Sequence, residues 1–138
     1  MHVSATRLKL ASWLTLPAFL MASQAVTRQA KASPGFRAGR TLLDKGLVFW
    51  TLTLWDSPEA MRAYRDNDRH GAVMPKLIDW CCEASVAQWE ADALPSWSDA
   101  HQRMTAQGRA SRLKRPTAAH AGLAFPLPAA GAWRDQAF

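Results

Sequence analysis

Leu47-Val48-Phe49-Trp50-Thr51-Leu52-Thr53-Leu54-Trp55 is the stretch on which the fold turns. It mixes β-branched, aromatic and leucine residues with no Gly, Pro or charge, which is the composition of a strand. On a pleated backbone Val48, Trp50, Leu52 and Leu54 share one face, and Leu47, Phe49, Thr51, Thr53 and Trp55 share the other. Both faces are apolar enough to need cover. A small antiparallel sheet with helices on one side leaves its other face polar. Here the second face calls for a partner subunit or an enclosed cavity.

Upstream, Phe36 to Leu43 reads as a strand and Asp44-Lys45-Gly46 as a turn, so the two strands form a hairpin. Downstream, Ser57-Pro58-Glu59 opens a helix: a capping Ser, Pro at the first position and an acidic residue in the first turn. That helix runs to about Asp68 with Ala60, Met61 and Tyr64 inward, and Gly71 breaks it. Val73, Leu77, Ile78 and Cys81 recur at helical spacing over about 72–82, with Pro75 in the first turn. Ser85 to Glu90 alternates as a strand, and Asp99 to Gly108 reads as a further short helix. At the N-terminus, Val3 to Leu10 suits a strand and Pro17 to Ala32 a helix stopped by Ser33-Pro34-Gly35. The resulting order, β-α-β-β-α-β, is the ferredoxin-like α+β arrangement with an antiparallel sheet.

The 138 residues suffice for one domain and exclude a multidomain enzyme. With 17 basic and 11 acidic residues the chain carries +6. Residues 98–138 supply six of the basic groups and two of the acidic ones, so most of the excess lies there. This divides the chain into a folded domain over 1–97, a basic helical extension over 98–116, and a mobile tail over 117–138 rich in Ala, Pro and Gly. Arg109, Arg112, Lys114 and Arg115 read as a solvated helix end. An anionic partner, nucleic acid or a lipid surface, is the competing reading, without a nucleic-acid motif in support. Arg7 and Lys9, the apolar run Leu10 to Met21 and Ala22-Ser23-Gln24-Ala25 imitate a secretory signal. Removing them would delete the first strand, so they are read as structure. Adjacent Cys81 and Cys82 form neither a disulfide framework nor a metal clip and give no sign of an oxidising compartment, which suits the cytoplasm.

Ala32-Ser33-Pro34-Gly35-Phe36, Phe49 to Trp55, Met61-Arg62-Ala63-Tyr64, His70 and Met74-Pro75-Lys76-Leu77 together resemble the dimeric α+β barrel superfamily. That group includes antibiotic-biosynthesis and heme-degrading monooxygenases. Within it the chain looks most like uncharacterised bacterial proteins near spheroidene monooxygenase. The resemblance covers about residues 1–97. It implies a homodimer whose sheets face each other and a pocket between each sheet and its helices. Its members include cofactor-free oxygenases, heme enzymes, isomerases and proteins without known activity, so the fold does not choose the chemistry.

On this reading His70, at the end of the second helix, is the catalytic group. The resemblance makes it a heme ligand, and imidazole chemistry also suits proton transfer to or from a substrate. A helix-end His that caps carbonyls is the plain alternative. Phe49, Trp50, Trp55 and Tyr64 are the candidate lining for a flat apolar ligand, although Trp50 and Trp55 serve equally as core or interface anchors. Trp13 and Trp97 read as packing at element boundaries. Arg37 and Arg40 fall on opposite sides of their strand. The expected function is monooxygenase-like, acting on an apolar aromatic or polyene small molecule. The alternatives are a non-catalytic binder of heme or another small ligand, and a basic protein docking on an anionic surface.

Overall fold

The computed structural model describes residues 1–66, 75–76, 79–111, 113, 116–117, 120, 122–123, 125–128 and 134–138. Along the chain they form β1 (His2–Leu10), a 3-10 turn (Trp13–Thr15), α1 (Leu16–Ala32), β2 (Phe36–Asp44), β3 (Val48–Trp55), α2 (Pro58–Arg65), β4 (Cys81–Glu90), α3 (Trp97–Gln107), β5 (Arg109–Ala110) and β6 (Arg134–Ala137). The strands make one antiparallel sheet in the order β5-β4-β1-β3-β2-β6. Its inner four strands follow the expected ferredoxin-like plan.

Local chemistry sets several boundaries. Ser57 accepts the Ala60 N–H at 3.2 Å and starts α2 with Pro58 in the first turn. β3 begins one residue later than its composition suggests. Leu47 takes φ of 63° and belongs to the turn, while its side chain still packs with Leu10, Phe19 and Cys81. Such a conformation is uncommon for a bulky residue. α2 ends at Arg65. Pro75, Lys76, Asp79 and Trp80 are helical, but Cys81 opens β4 rather than ending a helix, opposite Leu10 across a register shift. A short apolar run at a buried position fits either period, and pairing with β1 decides it.

The register sorts the sheet into two faces. Val3, Ala5, Arg7, Trp50, Leu52, Leu54, Ala87 and Trp89 lie together on one. His2, Leu8, Phe49 and Trp55 lie on the other, where α1 and α2 pack through Phe19, Ala30 and Met61. This helix face is the expected one. The opposite face is covered within the chain, by Ala100 and Met104 of α3 together with Trp97 and Phe125.

The segment beyond 97 is therefore part of the core, and the mobile tail expected over 117–138 is corrected at its described residues. β6 pairs with β2, Phe125 is buried, and Phe138 stacks on Phe36 at 5.8 Å. Gly39 makes room for that ring, because a Cβ there would collide with Phe138. Ser111 N–H donates to the Ala84 carbonyl and Thr117 N–H to that of Cys82, tying the extension to β4. Composition hid this because the anchors are single residues without periodicity. Among the described residues no helix is long and apolar enough to cross a membrane.

Candidate functional site

The four aromatic residues expected to line a ligand do not meet in one place. Trp55 is fully buried on the helix face, where its ring stacks on Tyr64 of α2 at 5.0 Å and meets Phe36 edge-on at 5.4 Å. Tyr64 donates its hydroxyl to the Val26 carbonyl of α1 at 3.3 Å, and burial pushes its phenol well above the usual range. Phe49 is on the same face but six residues along β3, about 20 Å away at the strand rise. It packs on Phe19 at 4.4 Å, in a cluster with Leu10 and Cys81. Trp50 points to the opposite face, against Phe125, Trp97 and His101. His70 lies outside the described residues.

Around Trp55 the structure gathers groups that the sequence did not single out. His2 stands directly opposite Trp55 in the β1–β3 register and opposite Glu90 in the β1–β4 register. Glu90 Oε1 lies 3.0 Å from His2 Nδ1. A carboxylate only accepts, so Nδ1 carries the proton of this bond, and in the neutral ring Nε2 keeps its lone pair. His2 Nε2, Trp55 Nε1 and Gln29 Oε1 are all buried without a hydrogen-bond partner among the described residues. The amide nitrogen of Gln29 donates to the Tyr64 carbonyl, which keeps this residue beside the Trp55–Tyr64 stack. Buried polar atoms are normally satisfied, and these three are exceptions, as are Arg7 Nε and Trp50 Nε1 on the opposite face. No sequence signal marked them, because His2 and Glu90 are 88 positions apart and only strand pairing joins them.

An open cleft of about 340 Å³ runs beside this group, lined by Ser33, Pro34, Gly35, Asp56, Ala60 and Tyr64, among others. Gly35 has φ of 84°, and a Cβ there would sit 2.6 Å from that of Ala60, so only glycine lets the α1–β2 turn approach α2 this closely. Tyr64 links the cleft wall to Trp55. The described lining offers no cation to meet heme propionates. Its carboxylate, Asp56, is paired with Arg37. Among the described residues no group of three or more His, Cys, Asp or Glu is placed to hold a metal ion.

The opposite face carries a different polar group. Arg7 and Glu83 are both buried and pair at 3.3 Å, Thr117 donates to Glu83 at 3.1 Å, and Lys9 lies 3.9 Å from the same carboxylate. The Arg7 guanidinium sits 4.2 Å from the Phe125 ring centre. Burial works against its charge, and Glu83 opposes that effect. His120 Nδ1 accepts the Ala84 N–H and its Nε2 contacts the Ser111 carbonyl at 2.6 Å, so both ring nitrogens serve the extension. Arg40 pairs with Asp135 of β6, which also accepts the Trp97 indole N–H. Cys81 is a buried small apolar residue whose thiol is pushed up to about 12, by burial first and Cys82 second. Trp97 packs as expected, whereas Trp13 is largely exposed.

No protein-family model and no curated protein matches the chain. Solved structures do. An antibiotic biosynthesis monooxygenase superposes with a TM-score of 0.60 at 11% identity, over 67% of this chain and 100% of its own. SnoaB, a cofactor-independent oxygenase from Streptomyces nogalater, gives 0.56 at 15%, over 69% and 97%. The NE2512 protein of unknown function from Nitrosomonas europaea gives 0.57 at 16%, over 69% and 94%. The chain thus shares the ferredoxin-like α+β fold of these structures.

Proposed function

We propose that the helix face binds a flat, apolar aromatic or polyene molecule and that the chain acts on it as a monooxygenase-like enzyme. The observation that carries this reading is the buried Trp55–Tyr64 stack beside three unpartnered polar atoms and an adjoining cleft. Stacked rings suit a planar ligand, and a few polar atoms fix its orientation. Supporting the oxygenase part is the fold shared with SnoaB, a cofactor-independent oxygenase. His70 remains a proposed reactive group on the strength of the sequence resemblance. Phe49 packs in a separate cluster with Phe19 and Leu10, and Trp50 serves the opposite face.

Oxygen uptake measured across a panel of aromatic and polyene compounds tests this. At least one compound should drive uptake in the intact protein. Tyr64→Ala should lower that rate by about tenfold or more through lost stacking and positioning, and Trp50→Phe should leave it within about twofold. Full activity in Tyr64→Ala removes the helix face as the site, and no uptake with any compound favours the non-catalytic binder.

A further inference from the structure

We propose that His2, oriented by Glu90, is a proton acceptor in this site, and that it takes the hydroxyl proton of an aromatic or enolic ligand whose oxygen is held by the Trp55 indole N–H. The inference rests on the reading of the helix face as an aromatic-binding surface and adds the chemistry it recognises.

Three observations carry it. Glu90 holds the imidazole through Nδ1, which in the neutral ring leaves the lone pair of Nε2 unused, and Nε2 is buried without a partner. A carboxylate that orients a His in this way is how an imidazole is prepared as a general base. Trp55 Nε1–H, an orphan donor, sits on the residue directly across the strand pair. Cβ atoms of directly opposed residues are about 4.5–5.5 Å apart, within the span of one small polar group. The two nitrogens do not bond each other, since both lack a partner. One acceptor beside one donor is the complement of a hydroxyl, which gives one hydrogen bond and takes one. Gln29 Oε1 adds a second unused acceptor from α1.

The step balances without a co-reactant. The ligand O–H bond breaks as the Nε2–H bond forms, and the electron pair stays on the ligand oxygen. That oxyanion accepts the Trp55 N–H. The imidazolium then faces Glu90, which stabilises its charge. Glu90 acts through His2 and is a positioning residue.

The test uses the full chain with 1-naphthol and its methyl ether, 1-methoxynaphthalene, at neutral pH. Binding is followed by tryptophan fluorescence and ionisation by the naphtholate absorption band. The intact protein should bind naphthol about tenfold tighter than the ether, and the naphtholate band should appear on binding. His2→Asn should abolish the band and bring the two affinities within about twofold, with the ether unaffected. Trp55→Phe keeps a ring but loses the donor, and should weaken naphthol selectively. Glu90→Gln, at an exposed side chain, should reduce the band without unfolding the protein.

A band that persists in His2→Asn, or a bound naphthol that stays neutral in the intact protein, overturns the proposal. Should His2→Asn fail to fold, an undiminished band in Glu90→Gln overturns it instead. If neither compound binds, the aromatic-site reading falls and the proton acceptor with it. If both bind equally and no band appears, the aromatic site stands and only the proton acceptor is lost.

Discussion

Trp50 and Trp55 stand five residues apart on β3, both fully buried, yet they look into opposite environments. Trp50 is enclosed by Phe125 and Trp97, whose rings meet it edge to face, and by the Arg7 guanidinium 6.0 Å away. The elements that enclose it are tied down by strand pairing, by His120 and by Asp135. Trp55 is enclosed by α1 and α2, where donors and acceptors stand unpaired and a cleft opens beside Tyr64. Buried unpartnered polar atoms occur on both faces, Arg7 Nε and Trp50 Nε1 on the C-terminal one and His2 Nε2, Trp55 Nε1 and Gln29 Oε1 on the helix one, but only the helix face has a cleft beside them.

The largest expected effect comes from cutting the chain after Ser96. Val3, Trp50, Leu52 and Trp89 would lose their cover, and the sheet would lose the strands at both edges. Sizing should show the intact chain as a monomer and the shortened one self-associating, without a cooperative thermal transition. A shortened chain that stays monomeric and melts at the original temperature breaks the comparison. The homodimer implied by the resemblance gains no support from an exposed sheet face, since α3 and its extension already occupy that face.

Next in size is Glu83→Ala, which leaves Arg7 buried without its partner and should cost about 3–5 kcal/mol by urea unfolding. Glu90→Ala, at the exposed rim of the helix face, should cost about 1 kcal/mol or less in the same measurement. Equal losses from the two would remove the distinction between the faces.

Alkali should act on the helix face. Tyr64 and Cys81 both have folded-state values raised by burial. Their contributions are therefore complete below the unfolded values, about 10 for the phenol and 9.0 for the thiol, and are lost as pH rises above them, for Cys81 up to about 12. Each group should reduce stability by up to about 1.4 kcal/mol per pH unit in that range. Thermal midpoints between about pH 8 and 11 should fall less steeply in a Tyr64→Phe, Cys81→Val variant than in the parent. An identical slope would show that neither group is coupled to folding. Smallest of all, Trp13→Ser should shift stability by no more than about 0.5 kcal/mol, because the side chain is mostly exposed.

The sequence made the sheet plan legible wherever periodicity and capping act locally. The alternation of 47–55, the Ser57-Pro58 helix start and the Ser33-Pro34-Gly35 stop are short-range signals, and the structure follows them with shifts of a residue or two at most of these boundaries. It also placed Trp50 and Trp55 on opposite faces. It misread Cys81, where a buried strand and a buried helix share one apolar pattern, and it read 117–138 as a tail because Phe125, Asp135 and Phe138 act one at a time.

What the sequence determined by itself is that β3 must be covered on both sides, since the burial tendency of its side chains is a property of the residues alone. What covers each side was decided by tertiary structure. Only the closing of β6 on β2 and of α3 over Trp50 shows that the chain serves as its own second layer. Only the β1–β3 and β1–β4 registers bring His2 between Trp55 and Glu90. Contacts between residues tens of positions apart depend on register and on which segments can reach, and no local pattern in the chain encodes them.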